Sequence, residues 1–169
     1  MHLYLIRHGP AVPKDPRRWP DDAARPLTPS GLRKTRRAGL GFAHEVPHLD
    51  RIVSSPARRT HQTAKLFAAA FDAPPRIELW ADLGPGAPSG PILEHLRRTV
   101  RAPHAEVLLV GHQPGLEQLI GLALTGDSVP LSRFSKAGAA ALEFSRAIRP
   151  GAARLEWLVT RSQLSAIGK

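Results

Sequence analysis

The 169 residues include no cysteine, one methionine and one tyrosine. Without thiols the chain has neither a disulfide framework nor a thiolate metal site. Aromatic side chains make up only 5% of it, a thin supply for the base-stacking platforms that readers of single-stranded nucleic acid use. Long apolar runs are absent too. The first, Leu3 to Ile6, is short of both a membrane span and the apolar core of an export signal, so a cytoplasmic protein with no membrane partner is expected. Acidic residues are scarce: 14 Asp and Glu face 24 Lys and Arg, a formal net charge of +10.

What remains describes an ordinary folded chain. Apolar residues account for 42% of it, and the length suits one domain, residues 1–169, with a sizeable core. Of the 24 basic residues 19 are Arg. Two readings of that charge stand side by side. Guanidinium groups scattered over a solvated surface reflect composition alone, whereas a concentrated patch attracts anions. The tightest cluster, Arg33-Lys34-Arg36-Arg37, falls in a predicted helix, where it forms a wet face. With few aromatics and no binding motif, nucleic acid is not the favoured partner.

Short continuous apolar runs alternate with amphipathic stretches. Leu3–Ile6, Ile52-Val53 and Val107–Val110 read as strands covered on both faces. Ser30–His44, Ala57–Phe71, Leu93–Arg101 and Gly115–Leu124 read as helices. The tail differs: Ala139–Phe144 and Arg154–Val159, separated by Arg149-Pro150-Gly151, predict a closing hairpin. The expected fold class is therefore α/β, a three-layer α/β/α sandwich whose sheet is mostly parallel with a C-terminal antiparallel hairpin. Thr28-Pro29, Ser55-Pro56 and Gln113-Pro114 each set Pro at an expected first helical position, the first two behind a capping side chain. Residues 10–29 and 81–91 are long, Pro-rich irregular segments of the kind that often carries function.

Parallel sheets bind ligands beyond the carboxyl ends of their strands, where helix N-termini offer free N–H groups to anions. Strand ends at Ile6, Ser54 and Val110 deliver Arg7-His8, Ser55…Arg59 and His112 to one rim. Phosphoryl transfer without a metal needs a nucleophile that is strong when neutral, as imidazole is. It needs fixed guanidinium forks around the phosphate oxygens, and an acid for the leaving group. Arg7, His8, Arg59 and His112 meet the first two needs. His44 and His48 have a metal-like spacing, but Pro47 interrupts any helix between them and no Asp or Glu cluster joins them. Neither a metal nor another cofactor is expected.

Four motifs in order carry a family resemblance: Leu-Ile-Arg-His-Gly at 5–9, Arg-Pro-Leu-Thr-Pro-Ser-Gly at 25–31, Ser55-Pro56 through Gln62-Thr63-Ala64, and Gly-His-Gln-Pro-Gly at 111–115. Together they span most of the chain. The sequence resembles the histidine phosphatase superfamily, with its phosphoglycerate mutase-like fold, and within it the SixA-type phosphohistidine phosphatases. The resemblance implies that His8 is the nucleophile, that Arg7 and Arg59 bind phosphoryl oxygens and that His112 completes the pocket as a further donor. The spacing of Ser, three residues, then Arg selects Arg59 over Arg58. Thr63 packs or caps, and Thr28 and Gly31 shape a helix start.

Relatives that act on phosphate esters carry a Glu after the third strand. Here the corresponding stretch, Leu79–Leu83, offers Asp82, one methylene shorter, as the candidate acid. An N–P bond needs less help from an acid than an alkyl ester does, which tilts the expected substrate toward phosphohistidine on a signalling protein, hydrolysed by a monomer. Two alternatives stand beside this reading: a phosphomonoesterase of a small metabolite, and a basic module with a relict pocket that binds nucleic acid or another acidic partner.

Overall fold

A computed structural model describes residues 1–131 and 133–168. Six strands form one sheet in the order β3-β2-β4-β1-β5-β6. They are β1 (His2–Arg7), β2 (Arg51–Ser54), β3 (Arg76–Leu79), β4 (Glu106–Gly111), β5 (Ala139–Glu143) and β6 (Arg154–Val159). The first four in that order run parallel, while β5 and β6 are antiparallel, as expected for the closing hairpin. The helices are α1 (Pro29–Glu45), α2 (Arg58–Ala68), α3 (Gly90–Thr99), α4 (Gly115–Thr125) and α5 (Arg161–Ile167).

The continuous apolar runs have the physical basis assigned to them. On β1, Leu3 and Leu5 join one core with Val107 and Leu109 of β4, beneath Leu93 and Leu96 of α3 and Leu119 of α4. Tyr4 and Ile6 point the other way, into a second core with Ile52, Leu108 and Val110, closed by Phe42 of α1, Phe67 of α2 and Leu164 of α5. Alternation along the central strands thus feeds two cores, and both faces of the sheet are dry at β1, β2 and β4.

Two of the three predicted helix starts are corrected. Thr28 caps α1 as expected, its Oγ1 accepting from Gly31 N at 2.8 Å with Pro29 next in line. Helix α2, however, opens at Arg58 behind Ala57, with no side-chain cap; Ser55 Oγ accepts from Ala57 N at 3.3 Å, ahead of the helix, and also faces His112. Pro114 sits in the cap position of α4, and the helix begins at Gly115. The half-exposed edge strand β3 and the short helix α5 lie outside the apolar periodicity that predicts the other elements.

Candidate active site

Strand register assembles the rim. Arg7 is paired with Gly111 and Ser54 with Val110. The ladder continues one step past each strand: His8 N donates to Gly111 O at 3.1 Å and Ser55 N to Val110 O at 3.0 Å. His8, Ser55 and His112 therefore leave three adjacent parallel strands at the same level. The rings of His8 and His112 come to lie 5.2 Å apart, and Arg59 Nη2 donates to His112 Nδ1 at 3.4 Å. His8, Arg59 and His112 are 8%, 3% and 5% exposed, an unusual degree of burial for such polar groups.

Close packing holds the turn after β1. A Cβ on Gly9 would sit 2.0 Å from Thr35 Oγ1 of α1, and one on Gly31 the same distance from Pro10 O. Gly9 N donates to Thr63 Oγ1 at 3.0 Å, and the Thr63 hydroxyl donates to Arg59 O at 2.8 Å. Thr63 thereby ties the His8 turn to the first turn of α2. On that turn Arg58 faces solvent and Arg59 faces inward, the choice the motif spacing made.

The hydrogen bonds fix how the two imidazoles carry their protons. His8 Nδ1 lies 2.8 Å from Gly9 O; a carbonyl only accepts, so the proton is on Nδ1 and Nε2 keeps its lone pair. A guanidinium only donates, so His112 Nδ1 accepts from Arg59, and its Nε2–H is left to donate to Ser55 Oγ at 3.0 Å. Both rings are neutral. Burial, aided by the charges of Arg59, Arg7 and Lys136, pushes His8 down to about 4 despite the opposing hydrogen bond to Gly9. Burial and the charge of Arg59 push His112 to about 3.

Burial likewise lowers Arg7 and Arg59 below the ordinary guanidinium value, and the Asp22 carboxylate pulls Arg59 back up. Each guanidinium has a buried Nε without a protein partner. Arg7 is steadied by Phe134 O, which its Nη1 meets at 2.8 Å. Gln113 Nε2 donates to the same carbonyl, and Phe134 N donates to Glu117 Oε1 at 3.0 Å. Two guanidiniums and the Nε2–H of His112, set beside the free lone pair of His8 Nε2, are suited to receive a tetrahedral oxyanion.

Two residues of the site, Asp22 and Arg25, were absent from the sequence-derived set, and Ser55, expected at the rim as a helix cap, takes another role. Asp22, in a 3₁₀ turn within the irregular segment 10–29, sets Oδ2 2.9 Å from Arg59 Nη2, and its backbone oxygen accepts from Nη1 at 2.7 Å. Burial pushes its carboxyl up, but Arg25 and Arg59 outweigh this and hold it below the usual range. Arg25 donates Nε–H to Asp22 Oδ1 at 3.0 Å and Nη1–H to Val12 O at 2.6 Å. Ser55 orients His112. The length of segment 10–29 and the motif at 25–31 were the available signals for the first two. Asp82 lines a small cavity beside His112, yet its Oδ2 is bonded to His95 Nδ1 at 3.0 Å, and that ring stacks on Trp80 at 3.6 Å. Among the described residues no group of three or more His, Asp or Glu is placed to hold a metal ion, and no helix is long and apolar enough to cross a membrane.

Comparison with known proteins gives the family and the fold. A family model described as the histidine phosphatase superfamily (branch 1) matches residues 3–84. An uncharacterized protein of a Picosynechococcus strain is 34% identical over 156 residues, covering 92% of this chain and 89% of that one. The phosphohistidine phosphatase SixA of Escherichia coli is 24% identical, with 86% of this chain and 88% of that one aligned. In fold, a solved protein histidine phosphatase SixA complexed with tungstate superimposes with a TM-score of 0.83 at 22% identity, covering 97% and 99% of the two chains. The alpha-ribazole phosphatase of Shigella flexneri shares the fold at a TM-score of 0.63 and 18% identity, covering 95% and 97%.

Proposed function

Because this chain belongs to the histidine phosphatase superfamily, we propose that it hydrolyses phosphohistidine on a protein through a covalent phosphoryl intermediate on its own His8. One observation carries the reading: Gly9 O holds the proton on His8 Nδ1, so the lone pair of a neutral Nε2 is available beside Arg7, Arg59 and His112. In the first step Nε2 forms a bond to phosphorus as the N–P bond of the substrate breaks. The two guanidiniums hold the equatorial oxygens, joined by the Nε2–H of His112 once it swings from Ser55. The substrate ring departs with the electron pair of the broken bond. In the second step water attacks the phosphoryl group on His8, inorganic phosphate leaves, and Nε2 regains its lone pair. No step calls on a metal or cofactor.

The choice of leaving group rests on the acids. Asp22 is held ionised between Arg25 and Arg59, and Asp82 is bonded to His95; neither is free to hand over a proton. A phosphohistidine ring protonated on its other nitrogen leaves as neutral imidazole and needs no further proton. The enzyme works as a single-domain monomer in the cytoplasm, and its partner is a phosphohistidine-bearing signalling protein. Purified protein, without added metal, is expected to hydrolyse a phosphohistidine peptide far faster than an aryl phosphate. Replacing His8 with Ala should abolish both turnover and acid-labile labelling of the protein; normal labelling of that variant would refute the nucleophile. Asp82→Ala should leave hydrolysis of both the peptide and the aryl ester unchanged, whereas a loss confined to the ester would restore Asp82 as a proton donor and favour a metabolite ester.

A further inference from the structure

The positive charge is unevenly placed. Helix α1 carries Arg33, Lys34, Arg36 and Arg37, all exposed, and its one acid is Glu45 in the last turn. Helix α5, packed against it, carries Arg161 and no acid. Some arginines elsewhere are paired, Arg97 and Arg98 with Glu94, Arg51 with Glu78, Arg25 and Arg59 with Asp22, while others, such as Arg76, Arg101 and Arg154, have no carboxylate within 4.0 Å. Among the described residues Lys34, Arg37, Lys136 and Arg161 have none either. What sets this face apart is density: Arg33, Lys34, Arg36 and Arg37 fall within five residues of α1, and Glu45 is the one acid on α1 and α5.

Two open depressions join these cations. One, of about 360 Å³, runs from Pro10, two residues beyond His8, past Lys136 to Arg161 and Ser162. The other, of about 270 Å³, starts at the same Arg161 and Ser162 and reaches Lys34 and Arg37. They meet at Arg161 and Ser162, so one trough of lining residues extends from Pro10, on the turn after His8, to Lys34 and Arg37 in the middle of α1. Its inner end lies against the backbone that carries the catalytic ring: Ala137 N, next to Lys136, donates to Arg7 O at 2.9 Å and to His8 O at 3.3 Å. A donor whose phosphorylated side chain enters the recess has to rest its remaining surface on the rim, and this stretch of rim offers only uncompensated cations and hydroxyls.

We infer that the trough lined by Lys136, Arg161, Lys34 and Arg37 is the docking face for the acidic surface of the phosphorylated protein, an inference that rests on the function proposed above. Charge complementarity selects an acidic partner. A folded protein fits better than nucleic acid because no aromatic side chain lines either depression, so unstacked bases have no platform. Trp157 faces a separate apolar cavity with Glu45, Val159 and Leu164.

The test compares the wild type with a trough variant, K34E/R37E/R161E, and a control of identical net charge, R76E/R98E/R101E, altered on β3, α3 and the loop that follows α3. Lys136, close to His8, is left untouched. Substrates are an acidic phosphotransfer domain phosphorylated on histidine and free phosphoimidazole, each assayed from low to moderate salt. The trough variant should lose tenfold or more of kcat/KM on the domain, chiefly through KM, together with most of its salt dependence. The same variant should hydrolyse phosphoimidazole like the wild type, which also shows that it is folded, and the control should match the wild type on both. Equal losses in trough and control variants, or an unchanged rate on the domain, would overturn the docking face. So would loss of retention on a single-stranded oligonucleotide with no change on the domain, which would reassign the trough to nucleic acid. A wild type inactive even on phosphoimidazole would instead refute the proposed function.

Discussion

Among single residues, Asp22 sets the terms on which Arg59 meets a ligand. Its carboxylate already occupies Nη2 of a buried guanidinium and also holds Arg25, so an incoming phosphoryl group has to displace or share that contact. Replacing Asp22 with Asn keeps the shape and removes the competing charge. Tungstate, a tetrahedral oxyanion, should then inhibit roughly tenfold more tightly, the equivalent of about 1.4 kcal/mol. Weaker inhibition would mean that Asp22 aims Arg59 more than it blocks it. His8 carries a second expectation. An ordinary imidazole gains its proton near pH 6.5 and stops being a nucleophile, whereas burial and three nearby cations hold His8 near 4. The acid limb of kcat/KM on phosphoimidazole should therefore lie well below 6.5. A limb at 6.5 that moved with substitution of a cation around His8 would contradict a buried, neutral ring.

The elements were legible to different degrees, for physical reasons. β1, β2 and β4 announce themselves because both faces are buried, and α1 because Thr28 and Pro29 mark its start. β3 is an edge strand of four residues, half exposed, and its Arg-Ile-Glu-Leu pattern is too short to separate from a loop. Helix α5 is also short, yet Thr160 and Gln163 form a capping box, with Gln163 Oε1 accepting from Thr160 N at 2.8 Å. That Thr-x-x-Gln pattern was the readable signal for it. Thr160→Ala should lower the unfolding free energy by about 1 kcal/mol in a urea titration. It should leave phosphoimidazole hydrolysis intact, because α5 touches the catalytic rings through neither a hydrogen bond nor a shared strand. A loss of activity without a loss of stability would instead place the start of α5 inside the site.

Over the whole molecule, the two catalytic imidazoles tie stability to pH. Unfolded, both protonate near 6.5; folded, they do so at about 4 and about 3. Below 6.5 the unfolded state binds more protons, so their contribution is fully present above 6.5 and fades as the pH falls toward those lower values. Thermal unfolding between pH 7 and 4.5 should therefore destabilise the wild type more than an H8Q/H112Q variant, and parallel curves would show that the rings titrate normally. The sequence by itself determined the strands and helices other than β3 and α5, and the rim at the strand ends, because burial on two faces and amphipathic periodicity leave local marks; the family motifs then selected its four principal side chains. Arg7, His8, Arg59 and His112 were found that way. Only the tertiary structure decided what each group faces. It set the Asp22 carboxylate on Arg59, turned Ser55 from a helix cap to a partner of His112, and bonded Asp82 to His95. It also gathered the cations of α1 and α5 into one unpaired trough. Those outcomes depend on contacts between residues distant in the chain, where geometry decides which oppositely charged or hydrogen-bonding groups find one another.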